Sequence, residues 1–259
     1  MKKLFILLSL LCTVPSSAGI NFDRSDDGLS VGDVAVESGA GLTILAVLAP
    51  QTVNYDFGGI FTKYTAGADC ANDCGPNFEI NGTVGRGRVR LAIRQLTVWN
   101  EWETDAAVVS SNTVVSLAVT YDEATDPIFY VNGTSVASSR AAGVANPPIP
   151  NTTVTAYIGA YDNPPGDACD CTINQVYIWD EVLTANEIVQ ISSASLKRFP
   201  LQVNSSNLIA CWDLDDQPSG TSADGDSAID RCAGNNGTGD NGADNVGLTW
   251  EADQKLSYQ

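Results

Sequence analysis

Residues 113–137 read T-V-V-S-L-A-V-T-Y-D-E-A-T-D-P-I-F-Y-V-N-G-T-S-V-A. The run at 113–121 is rich in β-branched residues, which fit a pleated, half-buried surface. A polar loop leads from it to Ile128-Phe129-Tyr130-Val131, and Asn132-Gly133 separates that run from a return at 134–137. Asn-Gly between two such runs predicts a tight hairpin, because both central residues of a type I′ turn need positive φ.

The same alternation of short runs and turn residues extends to both sides. Strand-like runs fall at 29–34, 42–49 (L-T-I-L-A-V-L-A, stopped by Pro50), 58–64, 78–80, 88–98, 154–158 and 172–179. The unbroken apolar character of 42–49 predicts a strand covered on both faces. At 88–98, Arg88, Arg90 and Arg94 interleave with Val89, Leu91 and Ile93. That period of two predicts a half-exposed strand rather than a nucleic-acid patch. Many short strands with spaced turns make an all-β sandwich or barrel. One short helix is expected, opened by the capping box Thr184-Ala185-Asn186-Glu187 and running to Ile191.

Taken in order, these pieces resemble a known family. Phe22-Asp23 with Asp26-Asp27, the run at 29–33, Leu42-Thr43-Ile44 up to Pro50, Gly59-Ile60 and Lys63-Tyr64 look like the early strands of a laminin-G-like domain. V-S-L-A-V-T-Y-D followed by F-Y-V-N-G is similar to that family's central hairpin. Y-I-G at 157–159, then I-N-Q-V-Y-I-W-D-E-V-L-T-A-N-E-I, is similar to its closing strand and helix. The resemblance implies an antiparallel two-sheet jelly-roll sandwich of the concanavalin A-like type over 19–193. Family members often begin with a strand of the form L-x-A-x-W-x-L-D-D followed by a G-N-x-G-T loop. In this chain such a strand stands near the other end, as Leu208-Ile209-Ala210-Cys211-Trp212-Asp213-Leu214-Asp215-Asp216, with Gly234-Asn235-Asn236-Gly237-Thr238 after it. The segment 207–259, reached through a linker at 194–206, is therefore expected to complete a sandwich. Its strand would fold back into its own chain, be donated to a neighbouring subunit, or belong to a separate appendage.

The start of the chain reads as a secretory signal over 1–18: Lys2-Lys3, a short apolar stretch, then Ser16 and Ala18 as small residues before the cut. Cys12 does not fit a lipidation site, because Leu11 stands where a small residue is expected. Export would leave Cys70, Cys74, Cys169, Cys171, Cys211 and Cys232, an even set that favours disulfides. Cys211 and Cys232 share a segment and are the pair most readily expected. The other four allow three connectivities, and a four-thiolate zinc site is the rival reading.

Asp and Glu outnumber Lys and Arg by 31 to 13. So acidic a surface repels phosphate backbones and anionic lipid, which excludes nucleic acid and membrane surfaces as partners. The chain has no histidine, which removes Ser-His-Asp and Cys-His catalysis and any histidine metal site.

Two groups of residues are candidate binding sites. Asp213, Asp215, Asp224, Asp226 and Asp230 form the densest carboxylate cluster, on an Asp/Gly-rich loop of the kind that supplies oxygens to calcium. Their spacing is not that of an EF-hand, and a solvated acidic loop is the alternative. Trp99, Trp102, Tyr161 and Asn163 fall at expected loops or strand ends, where aromatic faces stack on sugar rings and amides bond hydroxyls. Core filling is the alternative for the aromatics. Glu101 and Glu103 share a face at period two, the minimum for glycoside hydrolysis, but the E-x-D-x-x-E motif of jelly-roll glucanases is absent. Asn81, Asn132, Asn151, Asn204 and Asn236 head N-glycosylation sequons that matter only in a glycosylating host. The residues thus point to a secreted, non-catalytic recognition module for a glycan or extracellular protein, assisted by calcium. A self-assembling surface protein linked through the 208–216 strand is second, and a polysaccharide hydrolase a distant third.

Overall fold

In a computed structural model of the chain, the described residues are 19–23, 27–37, 41–54, 57–64, 73–81, 87–95, 98–161, 168–192, 203, 205–214, 227–240 and 249–251. The expected signal at 1–18 and nearly all of the expected linker lie outside them, as do Cys70, Asn163, Asp215, Asp224 and Asp226.

Two antiparallel sheets pack face to face. The first runs β10(Thr134–Val136)-β9(Ile128–Val131)-β8(Val115–Tyr121)-β3(Leu42–Pro50)-β13(Asp170–Trp179)-β1(Gly19–Asp23)-β17(Thr249–Glu251), with β14(Leu208–Trp212) also on β13. The second runs β11(Ser138–Ala142)-β7(Val98–Thr104)-β6(Arg88–Gln95)-β5(Asp73–Asn81)-β4(Gly58–Thr62)-β12(Ala156–Ile158)-β2(Gly28–Gly32)-β16(Gly237–Asp240)-β15(Ser227–Ala228). Together they form the jelly-roll sandwich that the order of strands and turns predicts.

The local expectations explain how. Asn132 and Gly133 take φ of 49° and 80° and turn β9 into β10, and the Asn132 Oδ1 accepts the Ser116 N–H besides. Helix α1(Ala185–Ser192) starts at its capping box: Thr184 N–H donates to Glu187 Oε2 at 2.7 Å, and Glu187 N–H donates back to Thr184 Oγ1 at 3.4 Å. β3 is covered on both faces. Leu42, Ile44, Ala46 and Leu48 join the core between the sheets. Leu45 instead meets Tyr130, Tyr177, Trp179, Ile188 and Ile191 in a second cluster beneath the helix.

The run at 88–98 differs from its expectation. Its strand, β6, ends at Gln95, and β7 returns antiparallel beside it, with Arg94 opposite Trp99 and Arg90 opposite Glu103. The sequence V-W-N-E-W-E-T hides β7 because both its faces carry aromatic and polar residues. The reason is that both faces are largely covered: Asn100, Trp102 and Thr104 turn inward, while Glu101 and Glu103 pair with arginines outside.

The C-terminal segment contributes to both sheets of its own chain. β14 lies along one half of an edge of β13, with Trp212 opposite Val176 and Leu208 opposite Trp179. β1 occupies the other half, with Ile20 opposite Ile173 and Asp23 opposite Asp170. The two short strands therefore sit end to end and stand in for one long strand. β16 meanwhile pairs with β2 in the second sheet.

Cys169–Cys171 and Cys211–Cys232 are disulfides, and Cys74 is disulfide-bonded. The four-thiolate zinc reading is thereby corrected, since oxidised sulfurs do not serve as thiolate ligands. No helix among the described residues is long and apolar enough to cross a membrane.

Candidate functional site

The outer face of the second sheet carries a row of polar side chains set by strand register. Glu79 on β5 stands opposite Arg90 on β6, Asn81 opposite Arg88, and Arg90 opposite Glu103 on β7. Glu79 Oε1 accepts from Arg90 Nε at 2.6 Å, and Arg90 Nη1 lies 3.3 Å from Glu101 Oε1. Glu103 accepts from Asn81 Nδ2 at 2.7 Å and lies 3.6 Å from Arg88. Arginine and glutamate thus pair with one another across three strands. That pairing is why a face which period-two reasoning assigns to solvent is largely buried.

Aromatic rings border this row. Phe57 stacks on Tyr161 at 5.5 Å between centroids, Tyr161 meets Tyr64 at 5.2 Å, and Tyr64 meets Trp99 at 5.5 Å. All four are half-buried. Arg90 lies 4.6 Å over the Phe57 ring and Arg94 lies 5.7 Å over Trp99, both within cation–π range. Asn77 lies fully buried beside Tyr161, and neither of its side-chain polar atoms makes a hydrogen bond of ordinary geometry. Glu79 Oε2 is likewise buried without a partner.

Burial pushes the Glu79 carboxyl up to about 7, against the pull of Arg90 and with some help from Glu101 and Glu103. Burial opposes the charge on Arg90, yet Glu79 and Glu101 more than offset it and raise its pKa. Burial and the neighbouring Glu79 also raise the Tyr161 hydroxyl. Carboxyls perturbed in this way concentrate at functional sites.

The Glu79 shift has a consequence for stability. Between its ordinary value of 4.5 and about 7, the folded chain holds this proton longer than the unfolded chain does. Stability from this group is therefore fullest below pH 4.5, falls as pH rises through that window and is level above it. The slope should amount to on the order of 1–3 kcal/mol. Urea unfolding across pH 4.5–7.5 checks this, and Glu79→Gln should flatten the profile relative to the parent chain.

Of the aromatics expected from sequence, Trp99 and Tyr161 come together through Tyr64. Asn163 lies outside the described residues. Trp102 is a correction: it is 1% exposed, packs tilted on Tyr121 at 5.5 Å and donates its indole N–H to Asp126 at 2.8 Å. It faces the core because it is one residue out of phase with Glu101 and Glu103 on β7. Sequence reasoning did not single out Phe57, Tyr64, Asn77, Glu79 or Arg90 as site residues. The period-two arginines of this face read as those of an ordinary half-exposed strand.

The two described aspartates of the expected calcium cluster need a correction as well. Asp230 Oδ1 accepts the backbone N–H groups of Cys211 and Cys232, each at 2.9 Å. Its Oδ2 accepts the Asn235 N–H and side-chain Nδ2, also at 2.9 Å. Asp213 accepts from the Tyr177 hydroxyl and pairs with Arg231 at 3.3 Å. Four N–H donors saturate one carboxylate and a guanidinium neutralises the other, so this pair does not fit a calcium ion, which seeks open oxygens. Asp230 serves instead as the clasp around the Cys211–Cys232 disulfide.

Among solved structures, a protein of Bacteroides ovatus ATCC 8483 to which carbohydrate binding has been ascribed superposes with a TM-score of 0.64 at 18% identity, over 94% of this chain. The chain spans 63% of that protein's length. A heptameric SAP-like pentraxin from Limulus polyphemus matches at TM-score 0.50 and 13% identity, over 71% of this chain and 85% of its own. The CBM40 of the Ruminococcus gnavus IT-sialidase, solved with α2,3 sialyllactose, matches at TM-score 0.50 and 13% identity, over 67% of this chain and 97% of its own. At these identities the likeness is one of fold. No curated protein matches the chain. A laminin-G-type family model covers residues 23–189, more than half of the chain, which therefore belongs to the concanavalin A-like lectin/glucanases superfamily.

Proposed function

We propose that this chain is an extracellular, non-catalytic glycan-binding module. Its sugar-contacting surface is the arc Phe57–Tyr161–Tyr64–Trp99 beside the Glu79–Arg90 row. The observation that carries this reading is the run of four half-buried rings at 5.2–5.5 Å, next to the Glu79–Arg90 row, where Glu101 stays partly exposed. Sugars present an apolar C–H face and a rim of hydroxyls, and such a surface meets both. The fold of the structural neighbours, among them carbohydrate-binding modules, supports it. So do the two disulfides among the described residues, which suit an oxidising compartment.

The non-catalytic part rests on the carboxylates. Glycoside hydrolysis needs one carboxyl free to donate a proton and a second free to attack or to activate water. Glu79 and Glu101 both hold Arg90, and Glu103 holds Asn81 and Arg88. Their chemistry is that of a clamp.

The test is calorimetric titration against a broad oligosaccharide panel. Trp99→Ala and Tyr161→Ala are each expected to weaken binding about tenfold, the loss of roughly 1.4 kcal/mol of stacking, with the melting temperature little changed. The same titrations with and without a chelator test the calcium expectation, which Asp215, Asp224 and Asp226 would have to carry. Silence across the panel, or full affinity in both variants, would sink the reading.

A further inference from the structure

We infer that the sugar taken at this site carries a carboxylate at a chain end, and that Arg94 receives it. The inference builds on the glycan-binding reading above and names the class of sugar. Lys63, Arg88, Arg90 and Arg231 each stand within ion-pair distance of a carboxylate. Arg140 is exposed on the edge strand β11. Arg94 is different. It is half-buried and stacked on Trp99, it has no carboxylate partner among the described residues, and its Nε is buried without an acceptor.

That is an unusual state for a guanidinium in a chain with 31 acidic residues and a net charge of −18. Partly burying a charge without a partner is unfavourable, and an acidic side chain at a neighbouring position would relieve it. Strand register instead sets Trp99 opposite Arg94 on one side and Cys74 on the other. The Trp99 ring, and through it Tyr64, borders the guanidinium, so a sugar stacked on the arc brings its substituents to that group. A guanidinium offers parallel N–H donors that match a carboxylate in a bidentate pair.

The rest of the molecule limits what that anion can be. The strongly negative chain repels an extended polyanion, while a single acidic residue at the end of a neutral oligosaccharide presents only one charge. Sialic and uronic acids share this chemistry, and the experiment separates them.

The measurement is calorimetric titration of the full chain with matched oligosaccharides: a neutral parent, its sialylated and glucuronidated forms, the methyl ester of each, and a sulfated form. A carboxylated form is expected to bind about tenfold or more tightly than its ester, and added salt should narrow that gap. Arg94→Gln should bring the acid-to-ester affinity ratio to about one, whatever it does to the neutral parent's affinity, and Arg94→Lys should recover part of that ratio. Equal affinity for acid and ester, preference for sulfate, or discrimination that survives Arg94→Gln would overturn the assignment and leave glycan binding standing. If no sugar binds, neutral or acidic, to a chain that melts cooperatively, both readings fall together. Should Arg94→Gln not fold, the acid-to-ester ratio and its salt dependence in the unaltered chain decide alone.

Discussion

Lys63→Met is expected to destabilise the chain by about 3–5 kcal/mol, a large part of the 5–15 kcal/mol typical of a folded domain. Lys63 follows β4 and is fully buried. Its ammonium donates to the Val34 carbonyl at 2.8 Å and to Glu37 Oε2 at 3.2 Å, and it lies 2.8 Å from Asp33 Oδ1. Each of its three N–H bonds therefore has an acceptor, all from the segment that follows β2. Val34 and Val36 of that segment are fully buried, so the lysine ties down a piece of core as well as a pair of charges. Methionine keeps the length and bulk of the side chain, which removes cavity formation as the cause. What remains is Glu37, only slightly exposed, with its charge uncompensated. Urea unfolding measures the loss. The double variant Lys63→Met/Glu37→Gln should regain more than half of it, because the unpaired anion goes too. A single variant within 1 kcal/mol of the parent chain would show that water reaches Glu37 and that the pairing matters little. Tyr64 is the next residue, so a loosened Lys63 should also weaken sugar binding through the aromatic arc.

Nothing about Lys63 in sequence announced its burial, and the reason is general to this molecule. The features legible beforehand are local ones. Asn132-Gly133 demands positive φ, Thr184-x-x-Glu187 closes on itself, and 42–49 is too apolar for a strand with one wet face. Each depends only on neighbours along the chain. Side-chain periodicity failed where polar residues are buried through partners on other strands. Arg88, Arg90, Glu79 and Glu103 alternate as solvent-facing residues do, yet they pair with one another across β5, β6 and β7. The same blindness hid β7 and put Trp102 among the ligand candidates: an aromatic between two glutamates reads as a loop until its partners are known. Trp99 and Tyr161 could be named as candidates from sequence. That Tyr64 joins them is a fact of topology, since β7, the end of β4 and the end of β12 converge on one face. In the acidic tail, Asp215, Asp224 and Asp226 lie outside the described residues. Asp213 and Asp230 stand where calcium ligands would be sought, but Arg231 and four N–H groups already occupy them.

Trp212→Ala should cost about 3–5 kcal/mol through the cavity it leaves, and it bears on how residues 207–259 relate to the sandwich. Trp212 is fully buried in the core between the sheets. Its indole N–H donates to the Asn235 carbonyl at 2.9 Å, and it bridges to Asp230, which clasps the Cys211–Cys232 disulfide. Truncation therefore removes core volume, orphans a carbonyl and loosens β14 from β13 at once. Because β14 and β1 share one edge of β13, weakening one half of that composite strand should destabilise the whole first sheet. At about 2–4 °C per kcal/mol for a domain of this size, the single thermal transition is expected to drop by roughly 10 °C and stay single. An appendage folding by itself would behave otherwise, with a minor early transition moving while the main one holds still. Strand exchange between subunits would make the parent chain's transition rise with protein concentration, as folding would then be coupled to association. Calorimetry of parent and variant over a hundredfold range of concentration separates the three. A single transition, independent of concentration and lowered in the variant, is the result that a strand folded back into its own sandwich requires.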